Sequence, residues 1–97
     1  MLKPKQKAYL KGLANQLKPV YQIGKEGISN EMMDGIINHL IAHELMKVTI
    51  LNNSDVSFEE ATEFFERNGV EVVQKIGHVL VLYMKSDKNK NPIIIPE

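Results

Sequence analysis

Four residues of this chain, Gly24-Lys25-Glu26-Gly27, have the types and spacing of an anion-binding turn. Two glycines around a lysine suit a backbone that turns sharply and stays uncovered by side chains. Val20, Tyr21 and Ile23 lead into them as a short strand, and Ile28 and Ser29 lead out into a long amphipathic segment. A helix opening at Ser29 aims unpaired N–H groups and the positive end of its dipole at the turn. Backbone donors, close approach and a nearby cation are what phosphate needs. The motif is not a P-loop, because no Gly-Lys-Ser/Thr follows a second glycine at the required distance, and a dinucleotide fingerprint would need a third glycine where Ser29-Asn30 stand. What remains has the form of a G-x-x-G clamp on a nucleotide backbone. A plain strand-to-helix turn needing φ > 0 reads equally well from these residues alone.

Other chemistry is thinly represented. The chain has no cysteine, which removes thiolate catalysis, disulfides and cysteine-bearing zinc sites. His39 and His43 are spaced to chelate a metal from one helix, but they lack the glutamate of the zinc-protease motif and an evident third ligand. Lying off the main apolar stripe, they read as partly exposed surface groups. No serine or threonine has a nucleophile-elbow context. Glu59, Glu60, Glu63 and Glu66 read as a solvated helix face. We therefore expect neither catalysis nor a cofactor nor a metal.

The elements that must position the turn follow from periodicity. Leu10, Leu13, Ala14 and Leu17 form one apolar face and predict a helix over 4–17, with Pro4 tolerated in its first turn. Lys3, Lys7 and Lys11 lie within an arc of roughly 80° beside that face, a basic ridge. Gly12 weakens this helix, which implies a close contact or nearby backbone. Pro19 ends it. Met33, Ile36, Ile37, Leu40 and Ile41 predict a second helix over about 29–43, capped by Ser29 and favoured at its start by Glu31 and Asp34. Residues 45–51 are strand-like and Asn52-Asn53-Ser54-Asp55 is a turn cluster. Ser57 and Glu60 form a capping box for a third helix, using Phe58, Ala61, Thr62, Phe64 and Phe65 as its apolar side and ending at Asn68-Gly69. Residues 70–76 and 79–84 predict a hairpin through Gly77-His78. Beyond it lies a polar stretch, then Ile93-Ile94-Ile95 between prolines, which adds an edge segment or docks on the core. The alternation predicts an α/β (α+β) two-layer domain over 1–97, a four-stranded mixed sheet covered by helices, with a flexible polar tail from about residue 85.

Formal net charge is zero, yet the charges are segregated. Residues 1–25 hold six lysines (Lys3, Lys5, Lys7, Lys11, Lys18, Lys25) and no acid, whereas residues 26–71 hold ten acids against Lys47 and Arg67. A polyanion responds to the local field of one face and not to the sum. No apolar run approaches the roughly 20 residues of a membrane span. The N-terminus lacks the apolar core of a signal peptide, so a cytoplasmic address is expected.

Lys5-Gln6-Lys7, Leu10-Lys11-Gly12-Leu13-Ala14, Leu17-Lys18-Pro19-Val20 and Ile23-Gly24-Lys25-Glu26-Gly27-Ile28-Ser29 closely resemble the CRM domain (chloroplast RNA splicing and ribosome maturation) in its bacterial stand-alone, YhbY-type form. Glu44 to Val48 and Ile76 to Tyr83 agree with it, so the resemblance spans about 3–84. It implies an α-β-α-β-α-β-β fold similar to the C-terminal domain of translation initiation factor three. It also implies RNA binding without catalysis, on large-subunit precursors of the ribosome. The corresponding site is Gly24, Lys25, Glu26, Gly27 and Ser29 with the basic residues Lys3, Lys5, Lys7, Lys11 and Lys18. Glu26 would repel phosphate, so it either points away or pairs with a lysine of the first helix. With only Tyr21 near the turn and Tyr9 on the first helix to stack on bases, weak sequence preference is expected. A monomer is the simplest state. The alternative function is a protein-interaction module that meets ribosomal proteins through the acidic third helix and the apolar C-terminal tail.

Overall fold

A computed structural model describes residues 2–86 and 93–95. The elements are α1 (Pro4–Ala14), β1 (Tyr21–Ile23), α2 (Asn30–His43), β2 (Leu45–Ile50), α3 (Phe58–Arg67), β3 (Glu71–Ile76) and β4 (Val79–Tyr83). This is the expected order. The sheet is four-stranded and mixed, in the order β1-β2-β4-β3, with β1 parallel to β2 and the other pairs antiparallel. Of the tail, 87–92 and 96–97 lie outside the described residues.

Strand alternation divides the core in two. Met46, Val48 and Ile50 of β2, with Leu80 and Leu82 of β4, bury against Ile36 and Leu40 of α2 and Phe65 of α3. Leu45, Val81 and Tyr83 face the other way and meet Leu10 and Ala14 of α1. The α2–α3 layer over the sheet is the expected two-layer arrangement, and α1 adds a further layer on the opposite face. Helical periodicity marks an apolar face but not the side of the sheet it seeks.

α1 stops at Ala14 and not at 17. Its chain continues in tight turns, with Gln16 N–H donating to the Leu13 carbonyl (3.4 Å) and Leu17 N–H to that of Ala14 (2.9 Å). Only Leu10 and Ala14 of its predicted apolar face are buried, while Leu13 and Leu17 stay 38% and 37% exposed. A methyl group at Gly12 would meet nothing within 4 Å, so the expected close contact is absent and nothing in the fold explains this glycine. α2 and α3 carry the predicted caps: Ser29 Oγ accepts from Met32 N–H at 3.0 Å, and Ser57 and Glu60 form the reciprocal box.

One residue joins α2 to β2. Glu44 is 1% exposed and adopts φ 64°, a left-handed conformation that costs a residue with a Cβ about 1 kcal/mol. Its N–H closes the helix onto the Leu40 carbonyl (2.7 Å) and its carbonyl accepts from Met84 N–H (2.9 Å). Its carboxylate accepts from Ser86 N–H (2.7 Å) and Ile93 N–H (2.6 Å). Those bonds hold the C-terminal segment so that Ile93 and Ile95 dock on the α1 side of the core while Ile94 stays 83% exposed. Burial, and secondarily the Glu44 carboxylate, push the Tyr83 phenol above its usual value. Each hydrogen bond to a charged group is worth about 1.5–3 kcal/mol. Glu44→Ala is therefore expected to lower stability by about 3 kcal/mol in urea unfolding.

Candidate nucleic-acid interface

β1 delivers the chain to the turn at the end of the sheet. Leu51 N–H donates to the Ile23 carbonyl (2.9 Å), extending the parallel pairing by one bond. Gly27 N–H then donates to the Gly24 carbonyl (3.0 Å), closing a turn with Lys25 and Glu26 exposed at its corners. The two glycines differ in kind. Gly27 has φ 73°, and a Cβ there would lie 3.0 Å from Val56 Cγ2. Gly24 has no such constraint: a Cβ would rest 3.6 Å from Leu51 Cδ1, an ordinary contact. Ile28 packs on the core and anchors the base of the turn.

The donors are fewer than the sequence suggested. Gly27 N–H is engaged within the turn, and Met32 N–H is capped by Ser29. Among the described residues, Asn30 and Glu31 keep N–H groups with no protein acceptor at the start of α2, and Ser29 keeps its hydroxyl proton to donate. Among the described residues Glu26 makes no ion pair. The one ion pair among the described residues joins Arg67 and Glu63 at 2.9 Å, so the alternative in which Glu26 pairs with a lysine of α1 is not realised.

α1 lies across the end of the sheet where β2 begins, because Leu10 and Ala14 sit on Leu45, Val73, Val81 and Tyr83. The turn lies at the other end, beyond Ile23 and Ile50. β1, about 10 Å long for three residues, runs between these two ends. At about 100° per residue, Lys7 and Lys11 fall on the flank of α1 opposite Leu13. Leu13 lines a groove beside Leu45 and Met46, so Lys7 and Lys11 lie on the flank of α1 away from that groove. Lys5 lies on the solvent side of α1. Lys3 precedes the helix, its N–H held by Gln6 Oε1 at 2.9 Å, and Lys18 is exposed in the connection to β1. Lys47 is occupied structurally, donating to the Leu17 carbonyl at 3.1 Å.

Tyr21 is not available as a platform. Its hydroxyl lies so close to Gly35 that a Cβ there would collide with it, which places the ring against α2. The structure instead brings to the turn's end of the molecule three residues that the sequence did not place in the site. Lys75 places Nζ 4.2 Å from the centroid of Phe58, and His78 lies 6.0 Å from the same ring. They come from different elements with no linear signal connecting them.

The other two histidines belong to the opposite end. Their rings lie 4.5 Å apart at the mouth of an apolar groove of about 470 Å³ lined by Leu13, Leu17, Val20 and Met46. Among the described residues no three side chains of metal-ligating type converge, there or elsewhere. Burial first, and His43 second, lower the pKa of His39 below its usual 6.5.

A mixed four-stranded sheet with helices on both faces and an exposed turn leading into α2 defines a small α+β domain whose candidate site is surface backbone and lysine. Residues 2–84 match the CRS1 / YhbY (CRM) domain, and the chain belongs to that family. A Bacillus subtilis relative named "Probable RNA-binding protein YqeI" is 37% identical over 93% of this chain and 95% of its own length. A Haemophilus influenzae relative named "RNA-binding protein" is 38% identical, covering 92% and 91%. The solution structure of the Staphylococcus aureus protein SAV1595 superposes with a TM-score of 0.78 at 43% identity, over 99% of this chain and 100% of that one. Among the described residues no helix is long and apolar enough to cross a membrane.

Two outcomes follow from this geometry. Gly27→Ala is expected to lose about 1–2 kcal/mol in thermal unfolding, whereas Gly24→Ala stays within about 0.5 kcal/mol of the parent. As pH falls through 6.5, the unfolded chain takes up a proton at His39 before the folded one does, so stability declines towards the lower folded pKa. His39→Gln should flatten that part of a pH series of urea midpoints.

Proposed function

We propose that this chain is a single RNA-binding domain over 1–97 that acts, without catalysis or cofactor, as an assembly factor on ribosomal RNA of large-subunit precursors in the cytoplasm. The observation that carries the reading is the turn itself. Gly27 is locked under Val56, the chain closes from Gly24 to Gly27, and Lys25 is left exposed beside the N-terminus of α2. Lys25 contacts phosphate, the Asn30 and Glu31 N–H groups and the Ser29 hydroxyl donate, and Glu26 stays turned to solvent. Lys7 and Lys11 on α1, with Lys3, Lys5 and Lys18, add attraction without sequence preference. Membership of the CRM family and two relatives named for RNA binding support the partner class. The ribosomal substrate rests on the resemblance to the bacterial stand-alone form.

A second reading has one observation in its favour. Next to the turn, Ile28, Val56 and Phe64 floor a groove of about 360 Å³ edged by Glu60 and by the Glu63–Arg67 ion pair, which leaves Glu60 to meet a basic protein segment. The C-terminal tail does not serve this reading as expected, since Ile93 and Ile95 are taken up by the core. The readings separate on salt dependence. Each phosphate-contacting lysine removed among Lys25→Ala, Lys7→Ala and Lys11→Ala should reduce the slope of log affinity against log salt by about one unit. Unchanged RNA affinity and slope in the folded triple variant would overturn the RNA reading and leave the acidic groove.

A further inference from the structure

We infer that the cleft beside the turn, formed by Phe58, Lys75, His78 and the Asn52–Ser54 bend, receives one unpaired base of the RNA strand whose backbone the turn holds. This inference rests on the RNA-binding reading of the turn and adds to it a contact with the base.

Turn and cleft share walls. Leu51, against which a Gly24 side chain would rest, and Val56, which covers Gly27, both line the cleft. Its volume of about 280 Å³ is just below the range of pockets for whole small-molecule ligands and fits a fragment the size of a base. The Phe58 and His78 ring centroids lie 6.0 Å apart with a 38° tilt. A flat ring inserted between two others needs about 7 Å, twice the carbon contact distance of about 3.5 Å. A rotation of the exposed His78 side chain, with the exposed Lys75 ammonium moving from over the Phe58 ring to the base edge, opens that gap. Its backbone stays fixed, because its carbonyl accepts from Ile50 N–H at 2.7 Å. The cleft floor is ordered as well: Ser54 N–H donates to the Leu51 carbonyl (3.0 Å), and Ser54 Oγ accepts from Val56 N–H (3.1 Å). Asn52 at the rim offers both donor and acceptor, as the edge of an unpaired base requires.

Lys75 reaches this place through an irregularity in the sheet. The pairing of β3 with β4 shifts between Val72 and Gln74. Val73 lies on the α1 side of the core, and regular alternation would put Lys75 there too. The extra residue instead pairs Lys75 with Leu80, whose side chain faces α2 and α3, and so sets the ammonium over Phe58. Bulges often re-aim a side chain in this way beside functional sites. Glu59 also lines the cleft and disfavours a second phosphate inside it, which leaves a neutral ring as the matching occupant.

The test compares a short adenosine oligonucleotide with the same ribose–phosphate backbone carrying abasic positions, in binding titrations against the full chain. His78→Ala, and Phe58→Leu as a variant that keeps apolar volume, should each weaken the adenosine oligonucleotide about 5- to 10-fold and leave the abasic backbone unchanged. Lys25→Ala should weaken both. If wild type binds the two equally, or if both cleft variants leave their affinity ratio unaltered while circular dichroism shows them folded, the cleft holds no base and the inference is overturned. The turn reading survives that result provided Lys25→Ala still weakens both ligands. If Lys25→Ala weakens neither while the cleft variants discriminate, the turn reading fails and the cleft stands.

Discussion

The carboxylate of Glu44 sits where α2 turns into β2 and accepts from the backbone of two later segments, at Ser86 and Ile93. A buried charge is costly unless hydrogen bonds replace its water, and here backbone donors do so, with no cation paired to it among the described residues. The left-handed backbone at this residue removes the need for a loop between helix and strand. α2 is thereby held rigidly against β2, and its other end, capped by Ser29, is fixed relative to β1. The turn between β1 and α2 inherits that placement. The same carboxylate brings the C-terminal isoleucines under α1, completing a core face that Leu10 and Ala14 alone would leave thin.

The sheet separates the molecule into two ends. At one, α1 crosses the strands, the C-terminal segment docks, and the His39–His43 pair edges an apolar groove. At the other, the Gly24–Gly27 turn, the Asn52–Ser54 bend and the Gly77-His78 hairpin come together. Lys25, Lys75 and exposed backbone lie there, with Glu59 of α3 lining the cleft and Glu60 and Glu63 edging the neighbouring groove. A chain with no net charge can therefore present a local surface suited to a polyanion. The short β1 matters to this division. It is long enough to carry the chain past α1 and short enough to leave the turn exposed.

Much of this was legible in the residue order. Ser29, Ser57 and Glu60 announced two helix starts, and alternating β-branched runs announced the strands, because those signals act over a few neighbouring residues. The Gly24–Gly27 turn was legible for the same reason, as was its likeness to a known family. The extent of α1 was not, since Leu13 and Leu17 continue an apolar face that has no core to enter once the chain must cross to β1.

From the sequence alone came the elements, the turn, the segregation of charge and the family, all set by local periodicity, capping and motif. Tertiary structure alone decided which face of the sheet α1 covers, that Gly27 and not Gly24 is sterically required, and that Tyr21 turns inward. It also decided that Glu44 is the central polar anchor and that a bulge carries Lys75 to Phe58 and His78. These depend on register and on contacts between residues tens of positions apart, and no pattern of neighbours along the chain encodes such distances.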